Sequence, residues 1–449
     1  MIKMTPAQIA SALNITTVPN DAAFQGICID SRRVAPHQLF VALQGEHVDG
    51  HDFIEAARAK GAAAALVTRK TDSPLPQIMV RDNILALGTL SAAWRHPFTL
   101  PIVAVTGSNG KTTLKNMIAS IMKAACQGDD TPVLATQGNL NNHLGLPLTL
   151  ARLNAQHRYA VIEMGMNHFG EIEYLTRLTR PKVAVITNAA AAHLEGVCDL
   201  AGVARAKAEI FTGLSEDGMA VLNRDDAAYP YWRTQIGQHP CLTFGFHPEA
   251  DVTATPNPDN LHPILLRTPK GNMEIQLPLL GTHNLLNTLA AAAAALAVGI
   301  DLPAIKQGIE TIQPAPGRMQ MHTLQNGVKI IDDTYNANPF SLAAAIDTLA
   351  SFNGKKIMVL GDMKELGSEA KQLHQTAAKH MRQAGIDFLF TFGELSANTS
   401  HSFGDGSYHF SEQEKLVSAL LPLLCNQTTI LVKGSRSMQM DKVVSRLVQ

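Results

Sequence analysis

The sequence predicts an α/β protein of three domains: a small α/β N-terminal domain over residues 1–98, a central parallel sheet over 99–312, and a C-terminal doubly wound sheet over 313–449. Three observations carry this. At 449 residues the chain is too long for one ordinary core. Around residues 101–122 a buried-strand pattern, a glycine turn and a helical pattern follow one another. Beyond residue 313, apolar strand runs alternate regularly with helical patterns, as parallel β/α winding requires.

Composition narrows the function classes. An apolar fraction of 46% and a charged fraction of 17% describe a globular chain. A formal net charge of −1 supplies no general attraction to nucleic acid or anionic membrane, so neither is expected as a partner. Cys28, Cys126, Cys198, Cys241 and Cys425 are scattered and odd in number, without a C-x-x-C pair. They read as reduced, mostly buried thiols of a cytosolic protein. No targeting segment is visible, since Thr5-Pro6 reads as an N-cap and first position of a short helix over 7–13. The apolar run 289–300, with its six consecutive alanines, is too short to span a bilayer and suits a buried helix. The expectation is a soluble, cytoplasmic monomer without membrane insertion.

Within residues 1–98 the stretches C-I-D-S-R-R (28–33), L-F-V-A-L-Q-G (39–45), D-G-H-D-F-I (49–54) and a strand at 63–67 alternate as in a small α/β domain. Asp30, Ser31 and Arg32 in a turn suit an anionic ligand, because arginine forks match phosphate. Spacing alone favours a surface ion pair. Trp94-Arg95-His96-Pro97 then breaks the pattern and places the boundary near 98.

The central unit opens with V-A-V-T-G-S-N-G-K-T-T at 103–113. Strand, glycine turn and helix make a phosphate cradle, a P-loop ATPase-like arrangement. Gly107 and Gly110 let backbone N–H groups approach a ligand, and a helix N-terminus adds about half a positive charge. Gly107, Ser108, Asn109, Gly110, Lys111, Thr112 and Thr113 are the candidate cradle. Lys111 would reach the β/γ-phosphates and the Thr112 hydroxyl would ligate magnesium. Val105 stands where the full pattern has its first glycine, so strand and helix context carry the assignment.

Later strands are predicted at 159–162, 183–187 and 219–222, with an antiparallel hairpin region over 241–280. Ligands of open parallel sheets bind beyond the carboxyl ends of the strands. Glu163 and His193 therefore converge on the crevice of Lys111 and Thr112. A strand-end carboxylate beside a P-loop suits magnesium, because hard cations prefer oxygen. The stretch 136–147, with Asn139 and Asn142, is dense in Asn and Gly, which turn chemistry and a polar ligand explain equally well. On the helix predicted over 203–211, Lys207 shares the apolar stripe of Val203, Ile210 and Phe211, and periodicity alone favours a snorkelling lysine. Asn284 and Asn287 open the alanine-rich helix, where Asn can cap or can read an adenine edge.

In the third unit strands are predicted at 328–331, 356–360, 388–392 and 429–432, with helices near 341–350, 369–384, 411–424 and 437–447. The topology is Rossmann-like, yet no G-x-G-x-x-G is present, so a dinucleotide site is not expected. The strand ends carry D-D-T-Y-N-A-N-P (332–339), G-D-M-K-E-L-G (361–367) and K-G-S-R-S (433–437).

T-G-S-N-G-K-T-T, N-L-N-N-H-L-G-L-P, I-E-M-G, A-K-A-E-I-F, H-N-L-L-N, P-G-R-M and D-D-T-Y-N-A-N-P together resemble the Mur ligase family of ATP-dependent amide-bond-forming enzymes, across all three units. D-D-T-Y-N-A-N-P followed by G-D-M-K-E-L-G is most similar to members that take a UDP-N-acetylmuramoyl-tripeptide and D-alanyl-D-alanine as substrates. The D-N-P-R loop of the diaminopimelate- or lysine-adding member is absent, and that enzyme is the alternative, with a folylpolyglutamate-synthase-like ligase behind it. The resemblance implies ATP and Mg2+ as cofactors and an acyl-phosphate intermediate. It implies that Thr112 and Glu163 hold one magnesium, and that His193 and Lys207, carrying a carbamate, hold a second. With Lys111, Glu163, His193 and Lys207 would form the catalytic set. Asn284 and Asn287 would face adenine, and Arg318 and Asp333 would reach the nucleotide from the third domain. Asp30, Ser31 and Arg32 would bind the UDP end. Asn139 and Asn142 would contact substrate, and Lys433, Ser435 and Arg436 the dipeptide.

Overall fold

The structure, a computed structural model, describes residues 1–129, 131–190, 194–256 and 263–448, with residues 194 and 195 as backbone only. Its centre is a six-stranded, wholly parallel sheet ordered Cys241–Phe244, Met219–Asn223, Val183–Ile186, Ile102–Thr106, Tyr159–Glu163, Val133–Ala135. The P-loop strand is thus internal and flanked by the two strands whose ends were expected to face it. All five of its residues are buried, as a two-sided parallel strand requires.

Helices cover both faces. On one, the P-loop helix Lys111–Ala125, the alanine-rich helix Thr282–Ala297 and the helix Leu302–Glu310 bury a common apolar cluster. The six alanines 290–295 are all within 1% of fully buried, so the small side chains serve close helix packing. On the other face lie Gly145–Leu150, Glu171–Thr179 and Leu200–Ala208. Among the described residues, no helix is long and apolar enough to cross a membrane.

A four-stranded parallel sheet, Ile27–Cys28, Leu39–Val41, Ala64–Val67, Gln77–Met79, precedes the central one. The first helix, Pro6–Leu13, is capped by Thr5 in a capping box with Gln8. The C-terminal sheet is mixed. An antiparallel edge strand, Gln320–Thr323, joins five parallel ones in the order Lys329–Asp333, Thr428–Lys433, Lys355–Gly361, Phe388–Phe392, Ser407–Phe410.

Three expectations need correction. Among the described residues of 241–280, Ile264–Thr268 and Gly271–Ile275 form the antiparallel hairpin, whereas Cys241–Phe244 joins the central sheet in parallel. The helix expected over 203–211 starts earlier, at Leu200, and its last turn tightens to a 3-10 helix, Glu209–Gly213. The cysteines are all free, but only Cys126 is buried, and Cys198 and Cys425 are exposed.

Candidate active site

The P-loop lies at the mouth of a cavity of about 1150 Å³ that reaches from the central strand ends to those of the C-terminal sheet. Gly107 has φ +147° and a Cβ there would collide with the Thr187 hydroxyl; Gly110 has φ +82° and abuts the Asn287 amide. Both positions therefore demand glycine. Ser108 donates its hydroxyl to Ala190 O (3.0 Å), and the Asn109 N–H donates to Asn188 Oδ1 (3.0 Å). No side chain caps the P-loop helix, so its first N–H groups stay available to an anion.

Lys111 folds back onto its own loop, donating to Gly107 O (2.7 Å) and Ser108 O (3.2 Å). Burial lowers its pKa; the Glu163 carboxylate opposes this and Arg318 adds to it. Thr113 lines the same cavity.

Glu163 ends its strand opposite Val105 and is 2% exposed. Its Oε1 accepts from Asn141 Nδ2 (2.8 Å) and the Thr112 hydroxyl (3.3 Å), while Oε2 is buried without a partner. An orphaned carboxylate oxygen is costly unless something else satisfies it. Beside a hydroxyl and a phosphate cradle, this donor set fits a hard divalent cation. Among the described residues no group of three or more His, Cys, Asp or Glu is placed to hold a metal.

His193 lies outside the described residues. Lys207 is 1% exposed, and among the described residues its ammonium has no hydrogen-bond or ion-pair partner. Burial holds its pKa well below the ordinary lysine value, and the charge of Lys111 lowers it further against the opposing pull of Glu209. Lys207 is not part of the cavity wall.

Arg318 arrives from the C-terminal side. Its Nη2 donates to Thr112 Oγ1 (3.2 Å), and its guanidinium lies 4.1 Å from the centroid of the Tyr335 ring. A second bridge runs from Asn338 Nδ2 to Asn109 Oδ1 (2.8 Å). Neither Asn284 nor Asn287 caps its helix, whose N-cap is Gly281. Asn284 donates to Leu280 O (2.7 Å), and Asn287 packs against the P-loop.

Several expected contacts are redistributed. Asn142 Oδ1 accepts from Gly145 N (2.9 Å) and Leu144 N (3.2 Å), so its carbonyl serves the turn; Asn141, which sequence reasoning passed over, reaches Glu163 instead. Asn139 and Asn142 both line the cavity, as does Asn141. Lys433, expected at the dipeptide, lines the cavity but is tied into its wall. Its Nζ meets Asp333 Oδ2 at 2.5 Å and Asn336 O at 3.0 Å, because sheet register sets residues 333 and 433 side by side. Ser435 and Arg436 line the same wall. Asp30, Ser31 and Arg32 are not in it: Ser31–Arg33 forms an exposed 3-10 turn in which Arg32 forks onto Asp30 (2.9 Å twice), holding that carboxyl at about 2. Lys115, also overlooked, is buried and donates to Thr136 O (2.8 Å), fixing the residue whose hydroxyl receives the Glu163 N–H. Its position one helical turn after Lys111 was the available signal.

Fold and site define a P-loop nucleotide enzyme in which an arginine just ahead of the C-terminal sheet's edge strand meets the phosphate loop. Residues 23–90 match the model of the Mur ligase family, catalytic domain, residues 105–295 the Mur ligase middle domain, and residues 317–436 the Mur ligase, glutamate ligase domain. The UDP-N-acetylmuramoyl-tripeptide--D-alanyl-D-alanine ligase of Escherichia coli K12 is 43% identical, covering 100% of this chain and 99% of that protein. A crystal structure of MurF from Acinetobacter baumannii superposes with TM-score 0.91 at 34% identity, covering 100% of this chain and 99% of that one. MurF from Thermotoga maritima in complex with ADP gives 0.83 at 26% identity, covering 94% and 96%. The chain belongs to the Mur ligase family.

Proposed function

We propose that this protein is an ATP-dependent ligase that joins D-alanyl-D-alanine to a UDP-N-acetylmuramoyl-tripeptide, forming the pentapeptide precursor of peptidoglycan. The observation that carries the reading is the shared cavity in which Arg318 meets Thr112 and Glu163 keeps one oxygen unpaired. The full-length similarity to D-alanyl-D-alanine-adding relatives supports the choice of substrates.

A carboxylate oxygen is a poor leaving group, so the terminal carboxylate of the tripeptide takes the γ-phosphoryl group of ATP, and the dipeptide amine then displaces phosphate. The protein's work is positioning and charge stabilisation. The loop from Gly107 to Thr113 holds the phosphates, and Lys111 turns from its own carbonyls to the β/γ oxygens. Thr112 and Glu163 would hold Mg2+, which would neutralise phosphate charge. His193 and Lys207, as a carbamate, would hold a second ion. Asn284 and Asn287 face the adenine, Arg318 and Asp333 the nucleotide. Asn139 and Asn142 contact the UDP-linked substrate, and Asp30, Ser31 and Arg32 in the first domain take its nucleotide end. The reading includes a division at residues 1–98, 99–312 and 313–449, a monomer, and a place in the cytoplasm, where UDP-linked precursors and ATP are available.

The test is ATP hydrolysis with each acceptor separately and together. Phosphate release that requires both UDP-muramoyl-tripeptide and D-alanyl-D-alanine, with a pentapeptide product by mass spectrometry, is expected. Turnover with folate and glutamate, or with diaminopimelate and the dipeptide-linked precursor, would overturn the reading in favour of a relative.

A further inference from the structure

At the carboxyl ends of two neighbouring strands of the C-terminal sheet, Lys355–Gly361 and Thr428–Lys433, two loops are tied together. Ser435 N–H donates to Asp362 O (3.0 Å), and Lys364 N–H returns a bond to Ser435 Oγ (2.8 Å). Inside the knot Asp362 is 1% exposed, its Oδ1 taking the Ser396 N–H (2.8 Å) and its Oδ2 the Lys364 ammonium (2.9 Å). The carboxylate thereby fixes the direction of a lysine whose side chain is still 44% exposed and forms part of the main cavity wall. Two of that ammonium's three N–H groups remain for a ligand. Arg436, on the partner loop, lines the same wall, and its guanidinium has no hydrogen-bond or ion-pair partner among the described residues. Lys433, by contrast, is 3% exposed along its side chain and committed to Asp333 and Asn336.

We propose that Lys364, held by Asp362 and joined by Arg436, binds the carboxylate of the acceptor dipeptide, and that Lys433 does not touch it. The proposal rests on the reading of the acceptor as D-alanyl-D-alanine. At neutral pH that molecule carries one anionic end, and the other end must be free to attack. A site for it therefore needs fixed cations at the far wall from the phosphate loop. Lys364 and Arg436 are cations of that kind, on loops locked to each other. Ser435, whose oxygen is occupied by the Lys364 N–H, retains its own O–H for the same carboxylate.

Steady-state kinetics with D-alanyl-D-alanine and with its C-terminal amide test this. The wild type should prefer the acid. Lys364→Met should raise KM for the acid by about 10–100-fold, the range of a hydrogen bond to a charged group, while KM for ATP and UDP-tripeptide stays within about twofold. Preference for acid over amide should shrink by the same factor. Because that variant leaves Asp362 unpaired, Asp362→Asn/Lys364→Met is the companion that avoids a lone buried charge. Arg436→Ala should weaken the preference partly; complete loss in that variant alone would place the carboxylate on Arg436 and overturn the role of Lys364. Lys433→Met should lower kcat with the acid/amide preference intact. If the wild type uses the dipeptide but both Lys364 variants keep full preference, the proposal falls and the ligase reading stands. If the wild type does not use the dipeptide, both fall.

Discussion

Where the central strand Tyr159–Glu163 ends, a carboxylate is 2% exposed and keeps one oxygen without a partner. Beyond the first-sheet strand Ile27–Cys28, Asp30 instead gives both oxygens to the exposed fork of Arg32 and caps its own turn. Both are acids at the carboxyl ends of parallel strands, and they differ in burial and in satisfaction. A buried polar atom left unmade costs about 1–3 kcal/mol, so it persists where a ligand is to supply the missing bond. An exposed pair that is already complete stores no such demand. Lys207 sits at the extreme of the first kind: buried, cationic in its ordinary state, and without an anionic partner among the described residues.

The contrast is sharpened most by Lys207→Ala. If the buried amine carries carbon dioxide as a carbamate, the variant should fall to background turnover yet fold normally, since alanine removes a group that burial disfavours. Added short-chain carboxylate should restore part of the activity, and stripping bicarbonate should inhibit the wild type alone. A variant retaining wild-type turnover would reduce Lys207 to a packing residue.

Glu163→Gln comes next. It keeps shape and the contact to Asn141 but removes the charge from the orphaned site. Losing one electrostatic contact made in the transition state costs about 3 kcal/mol, on the order of a hundredfold in kcat. Turnover that is unchanged at limiting magnesium would make Glu163 a merely structural strand end.

Asn141→Ala tests the shell behind that carboxylate. Partners that orient a metal ligand are worth about 10–100-fold in metal affinity or activity. The expected result is a raised magnesium requirement, measured by titrating activity against the metal, with saturating turnover much less affected. An unchanged magnesium curve would show that Thr112 alone orients Glu163.

Asn141 also marks how far the sequence could be read. The P-loop was legible because its glycines, strand and helix are contiguous and each obeys a local rule. The β/α alternation after residue 313 was legible for the same reason, and its four expected strands all occur. Both Asn141 and Asn142 line the cavity, and which of them reaches Glu163 depends on the local turn, in which Asn142 gives its carbonyl to Leu144 and Gly145. The Asp333–Lys433 pair spans a hundred positions and exists only because the sheet places strand Lys329–Asp333 beside Thr428–Lys433, an order that no local pattern encodes. The strand Cys241–Phe244 was misjudged because it lies at the sheet's edge. There its first two residues are only half-buried, and four residues are too few to show the near-continuous apolar run of a parallel strand covered on both faces.

The smallest expected effect belongs to the opposite pole of the comparison, Arg32→Ala. The guanidinium is 87% exposed along its side chain, and its one ion pair is with a carboxylate two residues away. Such a pair is screened by water and salt, so the thermal midpoint should not move. Resemblance nevertheless assigns this turn to the UDP end of the substrate, and an arginine serves phosphate as readily as it serves Asp30. Binding there would have to exchange one anion for another. The gain would be the difference between two similar contacts, which predicts a rise of only a few-fold in KM for the UDP-tripeptide, with kcat and KM for ATP unaltered. The same exchange should make the wild-type KM more sensitive to salt than that of the variant. Equal salt dependence and equal KM in the two proteins would remove Asp30, Ser31 and Arg32 from the substrate site and leave them as a surface turn.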